Sequence, residues 1–162
     1  MKEDRFLLVI LAGIGLLILA ALGLFLMRQQ AQDYGPEDTP EGVLHNYILA
    51  LENGDYTRAY TYLYEAPNKP DFNQFQRAFL NQRLDASSAA VQIGEARLNN
   101  GEAILPLLII HPGSGPFSEG YRETINGQLK QSAAGEWKIS SLPYPFFEWN
   151  WYTPESSTPT KP

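Results

Sequence analysis

The chain has 162 residues, no cysteine, 12 Lys and Arg against 18 Asp and Glu, and a net charge of −6. That length holds one domain plus an accessory segment, and the missing thiols exclude disulfides, thiolate metal sites and a cysteine nucleophile. The basic residues form no stripe, so no nucleic acid is expected as a partner. The two histidines, His45 and His111, lack ligand-type spacing, so neither a metal nor another cofactor is expected.

In chain order, the first element is an apolar run. Phe6 to Met27 carries no charged residue and is long enough for a bilayer-spanning helix, which takes roughly 20 apolar residues. A cleaved signal peptide has a shorter core and a small-x-small cleavage site, and Arg28-Gln-Gln-Ala-Gln is a poor one. Residues 1–28 are therefore read as an uncleaved transmembrane anchor. Lys2 and Arg5 flank its short side, while after Arg28 no Lys or Arg appears until Arg58. The positive-inside rule then predicts a cytoplasmic N-terminus and an extracytoplasmic domain on a single-pass membrane protein. No two small residues of the run stand four apart, so it has no GxxxG-type helix-pairing face.

Residues 29–38 read as a polar linker, 39–152 as the folded domain, and 153–162 as a disordered tail without an apolar residue. Thr39-Pro40-Glu41 starts a helix, with Thr39 as N-cap and Pro40 at the first position, where its missing N–H costs nothing. Leu44, Tyr47, Ile48 and Leu51 follow at helical spacing, and Asn53-Gly54 supplies the stop. Asp55 caps a second helix through Leu63 that turns Ala59, Tyr60 and Leu63 inward. Asp71 caps a third, on which Phe72, Phe75 and Phe79 make one aromatic face.

After Leu84 the period changes to two. Ala90–Leu98 is predicted as a strand, Asn99-Asn100-Gly101 as a hairpin turn, and Glu102–His111 as the next strand. Its run Leu105–Ile110 is apolar on both faces and is expected to be covered on both, with a bulge or an edge at Pro106. Pro112–Ser118 reads as a loop, Tyr121–Gln131 as an alternating strand, and Trp137–Leu142 as the last strand. Three helices followed by an antiparallel meander predict an α+β fold, the helices packed on one side of a bent antiparallel sheet.

The stretch from Thr39 to Leu63, with Gly54-Asp55-Tyr56 and Ala59-Tyr60 at its helix-to-helix step, resembles the opening of NTF2-like (cystatin-like, cone-shaped) domains. Gly135-Glu-Trp-Lys-Ile-Ser-Ser-Leu-Pro143 is similar to their late strand. Anchor and domain together resemble bacterial membrane-anchored proteins of unknown function. The resemblance implies a cone that encloses a pocket. Some family members are isomerases or dehydratases that use a pocket Asp or Glu, which makes Glu95, Glu123 and His111 the catalytic candidates. By alternation Glu95 shares a face with Val91 and Ile93, and Glu123 with Tyr121 and Ile125. A buried carboxylate there would be tuned for proton transfer. The plainer reading puts both at strand ends, in water or paired with Arg97.

Leu142–Tyr152 carries six aromatic residues. Fold closure, a partner or ligand surface, and membrane contact are all open to it. Alternation puts Phe147, Trp149 and Trp151 on a buried face and Phe146 and Tyr152 on the other. Tyr121, Phe146, Trp149, Trp151 and Tyr152 are the binding candidates. No catalytic set converges in the sequence. The leading expectation is a non-catalytic binding or interaction module, with an isomerase-type enzyme or a scaffold subunit of an envelope complex as alternatives. The expected partners are the bilayer, through Phe6 to Met27, and an envelope protein or a small apolar ligand.

Overall fold

A computed structural model of the chain describes residues 3–28, 33–113, 115 and 118–152. The expected tail, 153–162, lies outside them. The chain divides into two units, Met1–Asp33 and Tyr34–Pro162.

The first unit holds one helix, α1 (Glu3–Arg28), 26 residues long. Its side chains are described for residues 9–22 only, fewer than the roughly 20 that a bilayer span takes. Among the described residues no helix is long and apolar enough to cross a membrane. Within that stretch Val9, Leu11, Leu16 and Leu19 are largely exposed.

The second unit is α+β, with α2 (Pro40–Glu52), α3 (Tyr56–Thr61) and α4 (Phe72–Leu80) ahead of a sheet. Each helix starts where its capping residue sits. The side chains of Thr39, Asp55 and Asp71 accept hydrogen bonds from the amides of Gly42, Arg58 and Gln74. Such a cap satisfies an amide that has no partner inside the helix. Gly54, at φ +70°, makes the left-handed stop between α2 and α3. α3 ends two residues before the expected Leu63, because the chain there joins the sheet. The Ile139 amide donates to Tyr62 O and the Tyr64 amide to Ile139 O, both at 2.8 Å.

The sheet contains β1 (Ala90–Ile93), β2 (Arg97–Asn99), β3 (Glu102–His111), β4 (Tyr121–Gln131) and β5 (Trp137–Ser141). All named pairings are antiparallel. β1 and β2 both lie on one side of β3, and β4 and β5 follow on the other. Asn100 and Gly101, at φ +46° and +79°, close the β2–β3 hairpin as expected.

The expected strand Ala90–Leu98 is broken in the middle. Gly94, Glu95 and Ala96 stand where β3 supplies Leu105 and Pro106, so one residue is extra. Pro106 has no amide to give a ladder, and the Gly94 amide donates to its carbonyl at 2.8 Å. A Cβ on Gly94 would come within 2.7 Å of the proline ring, so glycine is what lets the two backbones meet. The freed Ala96 amide goes to Glu41 Oε1 at 2.6 Å. Glu41, on the first turn of α2, thereby ties that helix to the bulge.

The core lies between the helices and one sheet face. Ala103, Leu105, Leu107, Ile109, Leu129 and Ile139 meet Leu44, Tyr47, Ile48, Ala59, Phe75 and Phe79 there. The opposite face of β3 is not covered as expected: Pro106, Leu108 and Ile110 are half-buried, and Ile104 is exposed. Part of the expected linker also belongs to this unit. Asn46, wholly buried, accepts from the Gly35 amide at 2.7 Å and donates to the Gly35 carbonyl at 3.0 Å. Arg58 lies over the Tyr34 ring at 3.3 Å and pairs with Glu37 at 3.2 Å. A helix-packed antiparallel sheet of this kind is compatible with an NTF2-like domain.

Candidate functional site

Two places gather the residues singled out from the sequence. The first is built by the segment that follows β5. Pro143 and Pro145 cannot extend a ladder, so the chain coils through successive turns, with Phe146 N–H on Pro143 O and Trp151 N–H on Glu148 O, both at 3.1 Å. Turns do not alternate faces, and the burial pattern differs from the expected one accordingly. Phe146, placed on the outer face by alternation, is 1% exposed, while Trp149, placed on the buried face, is 88% exposed. Trp151 and Phe147 are buried as expected, and Tyr152 is half-buried.

The buried half of the segment closes the core. The Tyr47 hydroxyl donates to Phe146 O at 2.7 Å. Trp151 packs on Phe75 at 5.4 Å and on Phe147 at 4.7 Å between ring centroids. The Tyr152 hydroxyl donates to Tyr64 O at 2.6 Å, and burial raises the pKa of that phenol.

The other half borders a cleft of about 400 Å³. Leu84, Leu142 and Phe147, all buried, form its floor, and exposed Tyr144 and Trp149 stand on its rim. α4 brings the last wall. The turn after it is closed by the Leu84 amide on Ala78 O at 2.9 Å, which sets Arg83 against Glu148 at 3.1 Å. Glu148 is largely covered while Arg83 is half-exposed. An apolar floor, two aromatic rims and one oriented ion pair suit the burial of an apolar group with a polar end.

The second place is where β3 ends and β4 begins. The register sets His111 opposite Tyr121 and Ile109 opposite Glu123. His111 Nε2 lies 3.1 Å from Glu123 Oε1, and the Tyr121 ring stacks on the imidazole at 4.2 Å. The structure thus joins three candidates, His111, Tyr121 and Glu123, and pairs Glu123 with His111 rather than with Arg97. Glu95 is not among them. It sits in the bulge between β1 and β2, exposed to solvent, as the plainer reading had it. Its strand is interrupted opposite Pro106.

Sequence reasoning missed Arg83 and Glu148, which come from separate segments and carry no mutual spacing. It also missed Glu41, whose place at a helix start reads as an ordinary acidic first-turn residue. Among the described residues no three His, Asp or Glu side chains could share a metal ion. No protein-family model matches the chain, and no curated protein matches it.

Proposed function

We propose that this is a single-pass membrane protein whose extracytoplasmic, NTF2-like domain is a non-catalytic binding module. The cleft beside Trp149 receives an apolar or aromatic group of a small ligand or of an envelope partner. The observation that carries the reading is an 88%-exposed tryptophan on the rim of a cleft of about 400 Å³. Small-ligand sites occupy about 300–1,000 Å³. The anchor rests on the uncharged run from Phe6 to Met27 in the sequence, since roughly 20 apolar residues span a bilayer as a helix. The orientation rests on Lys2 and Arg5.

Two measurements test this. Washing membranes at alkaline pH leaves the full chain in the pellet but releases a chain lacking residues 1–28. Release of both removes the anchor. Native mass spectrometry of the full chain in mild detergent finds a retained molecule or partner, which Trp149→Ala loses. Identical spectra for the two chains remove the cleft.

A second reading, a proton-transfer enzyme of the isomerase or dehydratase type, is favoured by the 3.1 Å contact of His111 with Glu123. It predicts that Glu123→Gln abolishes cellular function while retention in the cleft is unchanged. The binding reading predicts that Glu123→Gln and Glu95→Gln leave that function intact.

A further inference from the structure

The end of β5 leaves half of β4 without a neighbour. Ser141 pairs with Gln128, and Pro143 then turns the chain away. From Tyr121 to Gly127, β4 has β3 on one side and no strand on the other among the described residues.

Which backbone groups face that open side follows from alternation. The Gln131 amide donates to Gly101 O at 2.8 Å, on the β3 side. In a regular antiparallel ladder alternate residues point the same way, and the β3–β4 register is unbroken from Glu102–Lys130 to His111–Tyr121. Odd-numbered residues of β4 therefore bond toward β3 and even-numbered ones away from it. The Ser140 hydroxyl, which donates to Gln128 O from the β5 side at 3.1 Å, agrees. The N–H and C=O groups of Arg122, Thr124 and Asn126 are left facing outward. None of these groups has a hydrogen-bond partner among the described residues.

Proteins guard such edges with charged side chains, proline or a bulge. Residues 121–127 contain no proline, their pairing with β3 contains no bulge, and their two charges, Arg122 and Glu123, are of opposite sign.

We propose that this edge pairs antiparallel with the same edge of a second copy of the chain, about a two-fold axis through Thr124. Thr124 then lies opposite Thr124 of the second copy, and Arg122 opposite its Asn126. All the outward amides and carbonyls of the three residues are paired, and no like charges face each other. Moving the axis to Glu123 sets two carboxylates directly opposite, which is destabilising. Moving it to Ile125 brings in Gln128, whose edge β5 already occupies. The inference does not depend on the Trp149 cleft. The paired strip is short, so a crowded membrane favours the dimer over dilute solution.

The absence of cysteine makes the register directly readable. Opposed residues in a hydrogen-bonded antiparallel pair have Cα atoms about 5.5 Å apart, inside the ~4.4–6.8 Å range of a disulfide. Full chain in its membrane, oxidised with copper phenanthroline, is expected to give a disulfide dimer for Thr124→Cys. Arg122→Cys or Asn126→Cys alone gives none, because each stands about 13 Å from its own copy, four residues along the strand. A chain carrying both substitutions cross-links again. Thr124→Pro, tolerated on an outward-facing edge, abolishes the dimer seen for the unsubstituted chain by sedimentation at high concentration. Three results overturn the proposal: a folded Thr124→Cys chain that stays monomeric, equal cross-linking by all three single variants, and capture of a different protein at Thr124→Cys.

Discussion

Trp149 and Trp151 stand two residues apart, and the fold treats them in opposite ways. Trp151 is 8% exposed, wedged among Phe75, Phe79 and Phe147. Trp149 is 88% exposed on the rim of the cleft. In a strand two such residues would share a face. Here they do not, because Pro143 and Pro145 end the sheet and turns take over. One short segment can therefore seal a core with one tryptophan and present the other. The sealing half is a matter of stability, and the presenting half is open to a role outside the fold.

The sharpest way to break that contrast is to truncate the buried member. Trp151→Ala is expected to cost about 3–5 kcal/mol, the range for a large aromatic removed from a core. Trp151→Phe keeps the ring contact with Phe75 and costs clearly less. Urea unfolding of the domain, followed by far-ultraviolet circular dichroism, measures both. A Trp151→Ala loss under 1 kcal/mol would mean that the segment does not close the core.

A smaller effect is expected one step back along the segment. Tyr47→Phe removes the hydroxyl that bonds Phe146 O and leaves a buried carbonyl unpaired, which costs about 1–3 kcal/mol. The same phenol gives a pH dependence. Burial raises the Tyr47 pKa well above its ordinary value near 10, and raises Tyr152 also. A pKa raised in the folded state contributes stability that is complete below the unfolded value and is lost as pH climbs toward the folded one. Unfolding midpoints are therefore expected to fall as pH rises above about 10. Tyr47→Phe, with one late-titrating phenol fewer, should fall less steeply; equal slopes would show that this hydroxyl does not carry the linkage.

Much of this architecture was legible from local chemistry. Thr39, Asp55 and Asp71 cap the helices at the positions expected of them, and Asn100-Gly101 turns the hairpin, because caps and tight turns depend on neighbouring residues alone. The bulge was foreseeable at Pro106, which has no amide. Its consequence for Glu95 was not, since that needed the register across two strands. The aromatic segment misled for a related reason. Its alternating pattern is that of a strand, and the two prolines that forbid one outweigh it. His111, Tyr121 and Glu123 were separate candidates in the sequence, and only the β3–β4 register brings them together. Arg83 and Glu148 met through tertiary contact, which no spacing in the sequence encodes.

The smallest effect on stability is expected at the exposed member of the pair. Trp149→Ala removes a side chain that buries almost nothing, so its unfolding free energy should lie within about 0.5 kcal/mol of the unsubstituted chain. Its optical effect should be large. The chain has three tryptophans, and Trp137 and Trp151 are both 8% exposed. Iodide, which reaches only surface indoles, should quench the native emission chiefly through Trp149, and the variant should lose most of that quenching. A partner or ligand seated in the cleft covers the same ring and protects it. Protection from iodide in the unsubstituted chain, absent after Trp149→Ala while the fold is unchanged, would separate the presenting half of the segment from the sealing half. Loss of both stability and quenching together would show instead that Trp149 belongs to the core closure.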